Sequence, residues 1–230
     1  MRTVHIAAKP FAVDLDLDRT ALVVIDMQKD FLYPGGYGDF LGNDVTLLQR
    51  TIAPIQALLA AARRLGMTVI HTREGHLADL SDCPPTKLTR WPEGNRIGDP
   101  GPMGRILIRG EEGHGIIDEV APIEGEIVID KPGKNAFYAT GLDELLRARG
   151  IENLLITGVT TDVCCSATTI AANDSGFNAL VLADCVASYS PERHAAVLEV
   201  IAAQGGIFGW VTDSAAVLEG LAIVDLDPKP

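Results

Sequence analysis

Most of the chain repeats one pattern: a short β-branched apolar run, a turn, then a stretch with helical spacing. Runs at residues 20–26, 67–71, 127–130, 153–157, 178–182 and 207–211 have the length and apolar density of buried strands. Behind Asp44, a candidate cap, Val45, Leu48, Ile52, Ile55, Leu58 and Leu59 keep the period of a helix. Residues 142–149 read as a short helix stopped by Gly150, and another helix follows Val163. Pro191 opens a helix reaching residue 201, and residues 214–221 form the last. This alternation predicts an α/β chain: a three-layer α/β/α, doubly wound fold around a mostly parallel six-stranded sheet. No repeat or linker divides it, so residues 1–230 are expected to form one domain. Residues 73–113 break the rhythm, being rich in Pro and Gly without strong periodicity. They are expected to be a loop with no core of its own, covering a site or an oligomer contact.

Composition narrows the function. A formal charge of −12 argues against a nucleic-acid partner, which needs a basic surface, and against an anionic membrane surface. It suits a small neutral substrate, or an anionic one held by a local Lys or Arg. Residues 1–20 lack a continuous apolar stretch, because Asp14, Asp16 and Asp18 interrupt it, so no export signal is expected. Four cysteines are few for a disulfide framework in a chain this long, and the cytoplasm is the expected compartment.

The most informative stretch runs from Leu154 to Ala167. It reads as a buried strand broken at Gly158, a polar turn, and Cys164 at the first turn of a helix. Backbone N–H groups and the helix dipole at such a place favour a thiolate. Most cysteines in apolar company are merely small core residues, so the other strand ends decide the matter. In a parallel sheet those ends gather along one edge, where ligands bind. Asp26 ends the first strand, Lys131 follows the third and Cys164 follows the fourth. Singly, an Asp or Lys there is most often a cap or a solvated charge. Together they supply a nucleophile, a proton acceptor and an ammonium to hold the pair.

The motifs Val24-Ile25-Asp26-Met27-Gln28-x-Asp30-Phe31, Asp130-Lys131-Pro132 and Gly158-Val159-Thr160-Thr161-Asp162-Val163-Cys164 resemble those of the isochorismatase-like cysteine hydrolases. That family includes nicotinamidases, ureidoacrylate amidohydrolases and biuret hydrolases. The resemblance implies an Asp26–Lys131–Cys164 triad, with Cys165 as packing. It also implies a cis Val159–Thr160 peptide that aims the Thr160 and Cys164 N–H groups as an oxyanion hole. The nicotinamidase branch carries a metal cluster with histidines shortly after the first strand. Residues 39–60 contain no histidine here, so no metal is expected, and His71 and His76 are taken as structural or loop residues.

Further segments, Ile70-His71-Thr72-Arg73-Glu74-Gly75-His76, Gly98-Asp99-Pro100-Gly101-Pro102, Ile129-Asp130-Lys131-Pro132-Gly133-Lys134 and Gln204-Gly205-Gly206-Ile207-Phe208-Gly209, are similar to the biuret-hydrolase branch. That likeness implies Lys134 and Gln204 as ligands of substrate carbonyls and Phe31 as a pocket wall. Phe137 is a second candidate wall, and Asp184 is expected to be capping or structural. The implied enzyme hydrolyses a small neutral ureide such as biuret through a thioester, needs no cofactor and forms a homotetramer. Triuret and ureidoacrylate are the alternative substrates. A binding protein that kept the fold without turnover is the remaining reading, and it predicts a lost triad member.

Overall fold

The computed structural model describes residues 2–225. Its centre is a six-stranded, fully parallel sheet: β1 (Thr20–Ile25), β2 (Thr68–Glu74), β3 (Ile127–Lys131), β4 (Asn153–Val159), β5 (Asn178–Ala187) and β6 (Trp210–Thr212). Their spatial order is β6-β5-β4-β1-β2-β3, so the winding reverses between β1 and β4. Clefts in open α/β sheets form at such a reversal, outside the carboxyl ends of the strands. The helices are α1 (Ile52–Arg64), α2 (Leu142–Ala148), α3 (Ser166–Asp174), α4 (Pro191–Gly206) and α5 (Ser214–Asp225).

The period of two in β1 sorts its side chains onto two faces. Leu22 and Val24 pack with Ile55, Leu58 and Leu59 of α1 and Val217 and Leu221 of α5. Ala21, Val23 and Ile25 pack on the other face with Leu142 and Leu146 of α2, Ala172 of α3 and Ile201 of α4. All six residues of β1 are buried, which is why the run reads as continuously apolar. Each large aliphatic side chain so covered contributes about 1.5–3 kcal/mol.

The structure corrects several boundaries. The single helix expected behind Asp44 is two: a short one at Thr46–Gln49, then α1. Asp44 does cap the first, accepting from the Thr46 N–H at 3.0 Å. Pro54 has no N–H to continue the ladder backward, so the helix restarts where that lack costs nothing. The last strand is Trp210–Thr212 instead of 207–211. A hairpin of Thr3–Ile6 with Val13–Asp16, unforeseen in the sequence, lies outside the main sheet. The second strand extends three residues further than its apolar run, to Glu74.

The connection between β2 and β3 also differs from expectation. It buries Cys83, Ile97, Ile106, Leu107 and Ile108 together with Tyr37, a small core of its own. The Tyr37 hydroxyl donates to the Asn95 carbonyl at 3.0 Å, and the Arg105 guanidinium donates to the Gly98 and Ala78 carbonyls. The Pro and Gly content hid this cluster because its apolar residues follow neither helical nor strand spacing.

On β2, His71 is fully buried, with Nε2 at 3.1 Å from Glu126, while its Nδ1 has no partner among the described residues. Burial is the main influence on its ring and holds it below the usual histidine range, although Glu126 partly offsets this. The unfolded chain therefore takes up a proton below about pH 6.5 that the native chain refuses, so stability is lost as pH falls through that value. Urea unfolding should show a lower midpoint at pH 5.5 than at 7.5, and His71→Gln should flatten the difference. An unchanged slope in the variant refutes the assignment.

Candidate active site

Asp26 is the first residue past β1, fully buried, with φ of +50°. A non-glycine residue in the left-handed region is uncommon and costs energy that surrounding contacts must hold in place. Here the Asp26 N–H donates to the Thr72 carbonyl at 3.1 Å, and the Thr72 hydroxyl donates to Asp26 Oδ1 at 2.7 Å. The second oxygen, Oδ2, faces the Lys131 ammonium at 2.8 Å.

Lys131 ends β3, with its side chain fully buried. Its ammonium donates to the Gly133 and Lys134 carbonyls, both at 3.0 Å, and lies 3.5 Å from Cys164 Sγ. Burial works against this ammonium, but the anions around it, Asp26 foremost, outweigh burial and keep it charged.

Cys164 is reached by an abrupt turn. Gly158 has φ of +104°, and a Cβ there would lie 2.0 Å from the Ile25 carbonyl oxygen, so only glycine lets β4 pass β1 so closely. The Val159–Thr160 peptide is cis, as the resemblance implies. Residues Thr161–Cys165 then wind as one π-helical turn into α3. Cys164 faces the cavity, whereas Cys165 packs into the core beneath α3 and does not line it.

The expected resting thiolate is not favoured. Burial, and after it the charge of Asp26, push the Cys164 thiol well above its usual range, and Lys131 and Lys134 offset this only in part. Its proton must leave during the reaction, which makes a nearby carboxylate necessary.

Two carboxylates are near. Asp26, Glu74 and Cys164 each offer an atom within 4.8 Å of the others. Such a cluster could suit a cation, but the Lys131 ammonium is already within 4 Å of all three, at 2.8, 3.9 and 3.5 Å.

Glu74 is the residue the sequence analysis missed. It stands in register opposite Lys131, is buried, and its Oε2 accepts from the Cys164 thiol at 3.5 Å. The Gln28 side chain clamps its backbone, accepting from the Glu74 N–H at 2.7 Å and donating to its carbonyl at 3.0 Å. Burial alone would raise this carboxyl; Lys134, Lys131 and Lys87 outweigh it and hold Glu74 below the usual range. The missing signal was strand length, since ending the strand at His71 left Glu74 in a loop.

Cys164 opens into a cavity of about 390 Å³ lined also by Phe31, Leu41, Val163, Tyr189 and Arg193. A larger groove of about 670 Å³ runs along Leu198, Ala202 and Val211, but no cysteine lines it. Phe31 and Lys134 stand at the cavity as expected, with Lys134 paired to Glu74 Oε1. Thr160 and Cys164 line it as well.

Two expectations fail. Gln204 is exposed at the far end of α4 and does not line the cavity. The same helix delivers Arg193 to the site from its first turn, whereas its helical backbone breaks at Ala203 and Gln204 lies past that break with φ of +52°. Phe137 packs against Phe177, with ring centroids 5.8 Å apart, and belongs to the core. Asp184 is a cap, accepting from the Ser214 N–H at 2.8 Å at the start of α5.

A sheet edge that gathers a buried carboxylate and a buried ammonium behind a cysteine that opens to a cavity defines a cysteine hydrolase. Residues 20–216 match the Isochorismatase domain, and the chain belongs to the isochorismatase family. Among solved structures it is similar to a cysteine hydrolase from Pseudomonas syringae pv. phaseolicola 1448A, at 28% identity and a TM-score of 0.78 over 91% of this chain and 95% of the other. An isochorismatase family protein from Desulfovibrio vulgaris subsp. vulgaris str. Hildenborough shares 29% identity, with a TM-score of 0.73 over 89% and 98%. A pyrazinamidase/nicotinamidase from Streptococcus mutans UA159 shares 26%, with a TM-score of 0.67 over 84% and 99%.

Proposed function

We propose that this hydrolase cleaves the C–N amide bond of a small neutral ureide, with biuret giving allophanate and ammonia. The observation that carries the reading is the Glu74–Lys134 pair beside the Cys164 thiol. A ureide presents N–H donors and carbonyl acceptors in one plane. An anchored carboxylate and an ammonium match that pattern, buried Glu74 supplying the acceptor and Lys134, its side chain 40% exposed, the donor. The amidase named among the similar structures supports carboxamide chemistry on this scaffold.

The residues support a two-stage reaction. The Cys164 thiol, which in the resting site donates to Glu74 Oε2, turns its proton to Asp26, within 4.8 Å, as sulfur adds to the carbonyl carbon. The developing oxyanion is held by the Thr160 and Cys164 N–H groups. Asp26 returns the proton to the leaving nitrogen, ammonia departs, and a thioester remains on Cys164. Water, deprotonated by Asp26, then attacks the thioester carbonyl and releases the acid with the thiol restored. Lys131 holds Asp26 in place, and Phe31 forms a wall for the planar substrate. No step calls for a metal or an organic cofactor.

A longer or anionic ureide, triuret or ureidoacrylate, is the second reading. A cavity of about 390 Å³ falls among those that take larger ligands, and Arg193 lines it, its side chain 63% exposed and its guanidinium paired with Asp162 at 3.0 Å. The expected assembly is a homotetramer in the cytoplasm, with neither nucleic acid nor membrane as partner. No helix among the described residues is long and apolar enough to cross a membrane.

Ammonia release should be followed with biuret, triuret, ureidoacrylate and nicotinamide. Turnover of biuret at the highest kcat/KM supports the first reading, and preference for triuret or ureidoacrylate supports the second. Inertness toward every ureide removes both.

A further inference from the structure

The long connection between β2 and β3 sends one side chain into the catalytic cluster that the reaction above does not use. Lys87 lies on the short helix Pro85–Leu88, and its side chain is only 18% exposed. Its ammonium donates to the Pro132 carbonyl, meets His76 Nε2 at 3.0 Å, and stands 3.8 Å from Glu74 Oε1. Pro132 directly follows Lys131, so the contact reaches the backbone that carries both site lysines.

The seat of this ammonium is itself fixed. An ammonium has no lone pair, so His76 Nε2 must accept and the ring proton must sit on Nδ1. Nδ1 then donates to Asp82 Oδ1 at 3.1 Å. Asp82 is held in turn by the Leu77 N–H at 3.0 Å and the Arg109 guanidinium at 3.1 Å. A directed chain thus runs from Asp82 through His76 and Lys87 to Glu74, and from Glu74 Oε2 to the thiol. His76 is fully buried, and burial, its largest influence, holds the ring below the usual histidine range. That keeps Nε2 available as an acceptor.

An ordinary surface lysine keeps its ammonium in water, because desolvating it is costly. Burial draws the Lys87 amine below the usual lysine range despite the attraction of Glu74. The arrangement is costly for an ammonium whose only purpose is to hold down a loop.

We propose that Lys87 is a positioning residue of this site, carried in by the long connection to fix the ionised Glu74 carboxylate beside the nucleophile. Glu74 Oε1 is thereby committed to ammonium groups, and Oε2 is left for the thiol and the substrate N–H. The proposal rests on Cys164 being the nucleophile, but not on which ureide is hydrolysed.

Its test reads the thiol without a substrate. The charged groups at the thiol are Asp26 past β1, Glu74 on β2, Lys131 and Lys134 at the end of β3, Asp162 on the π turn and Arg193 on α4. Lys87 adds one positive charge behind Glu74. Alkylation of the full chain by iodoacetamide should be followed from neutral to alkaline pH, with Cys164 resolved from Cys165 by fragment mass spectrometry. Lys87→Met should move the midpoint for Cys164 upward by about one pH unit, the effect of a unit charge roughly 7 Å away at intermediate dielectric. Lys87→Arg, which keeps the charge, should stay near wild type. If Lys87→Met does not fold, Lys87→Gln is read in its place with the same expectation. An unmoved midpoint in the neutral variant overturns the proposal, as does an equal shift in the arginine variant. Should the ureide reading be wrong, the ammonia assay is silent while the alkylation shift persists, so the two failures are distinct.

Discussion

Under the proposed amide hydrolysis Cys164→Ala should abolish ammonia release, a loss of about a thousandfold or more, since Cys164 is the cysteine that lines the cavity and Cys165 packs in the core. The same change deletes one atom beside a cavity and should cost stability no more than about 1 kcal/mol. Cys165→Ala is the matching control. It lies next in the chain, buried under α3, and should leave the rate within about threefold of wild type, in line with the mild effect of small core changes. Initial rates and thermal melts of the two variants side by side decide the point. Equal losses in both would show that the loss comes from damage to the turn and would remove Cys164 as the nucleophile.

Lys131→Met should be the most destabilising single change at the site. Lys131 and Asp26 are both fully buried, and their charges meet at 2.8 Å. Taking away one member of such a pair leaves the other charge desolvated and unanswered, at a cost of about 3–5 kcal/mol. Turnover should vanish with it. The double variant Asp26→Asn/Lys131→Met, which removes both charges, should recover part of the stability while remaining inactive. Urea unfolding of the three proteins measures this directly. A loss below about 1 kcal/mol in Lys131→Met would mean that water reaches the pair, and the closed triad would have to be abandoned.

The residues legible in the sequence share one property: each stands at the end of an apolar run. Asp26, Lys131 and Cys164 could be placed on a common edge because β1, β3 and β4 announce themselves by composition. Glu74 could not, because β2 continues past its apolar residues through Thr72, Arg73 and Glu74. That extension is held by pairing with β3, a long-range contact with no local signal. Lys87 was invisible for the same reason, since its neighbours Glu74, Pro132 and His76 come together only in the fold. Gln204 failed in the opposite way. Its motif was conspicuous, but it lies past the break at the end of α4, away from the cavity that Arg193, in the first turn of that helix, reaches. Periodicity locates elements well; it does not say which end of a helix faces the cleft.

The burial that pushes the Cys164 thiol above its usual range bears on how such a site meets oxidants between turnovers. Peroxides and electrophilic metabolites react with thiolates far faster than with thiols. A sulfur kept as S–H by burial and by the facing Asp26 is therefore a poor target until a carbonyl is lodged against it. The other three cysteines are buried too, and burial, their largest influence, holds each thiol above its usual range. The burial of all four thiols thus works against the chronic oxidative loss that a permanently ionised cysteine would incur.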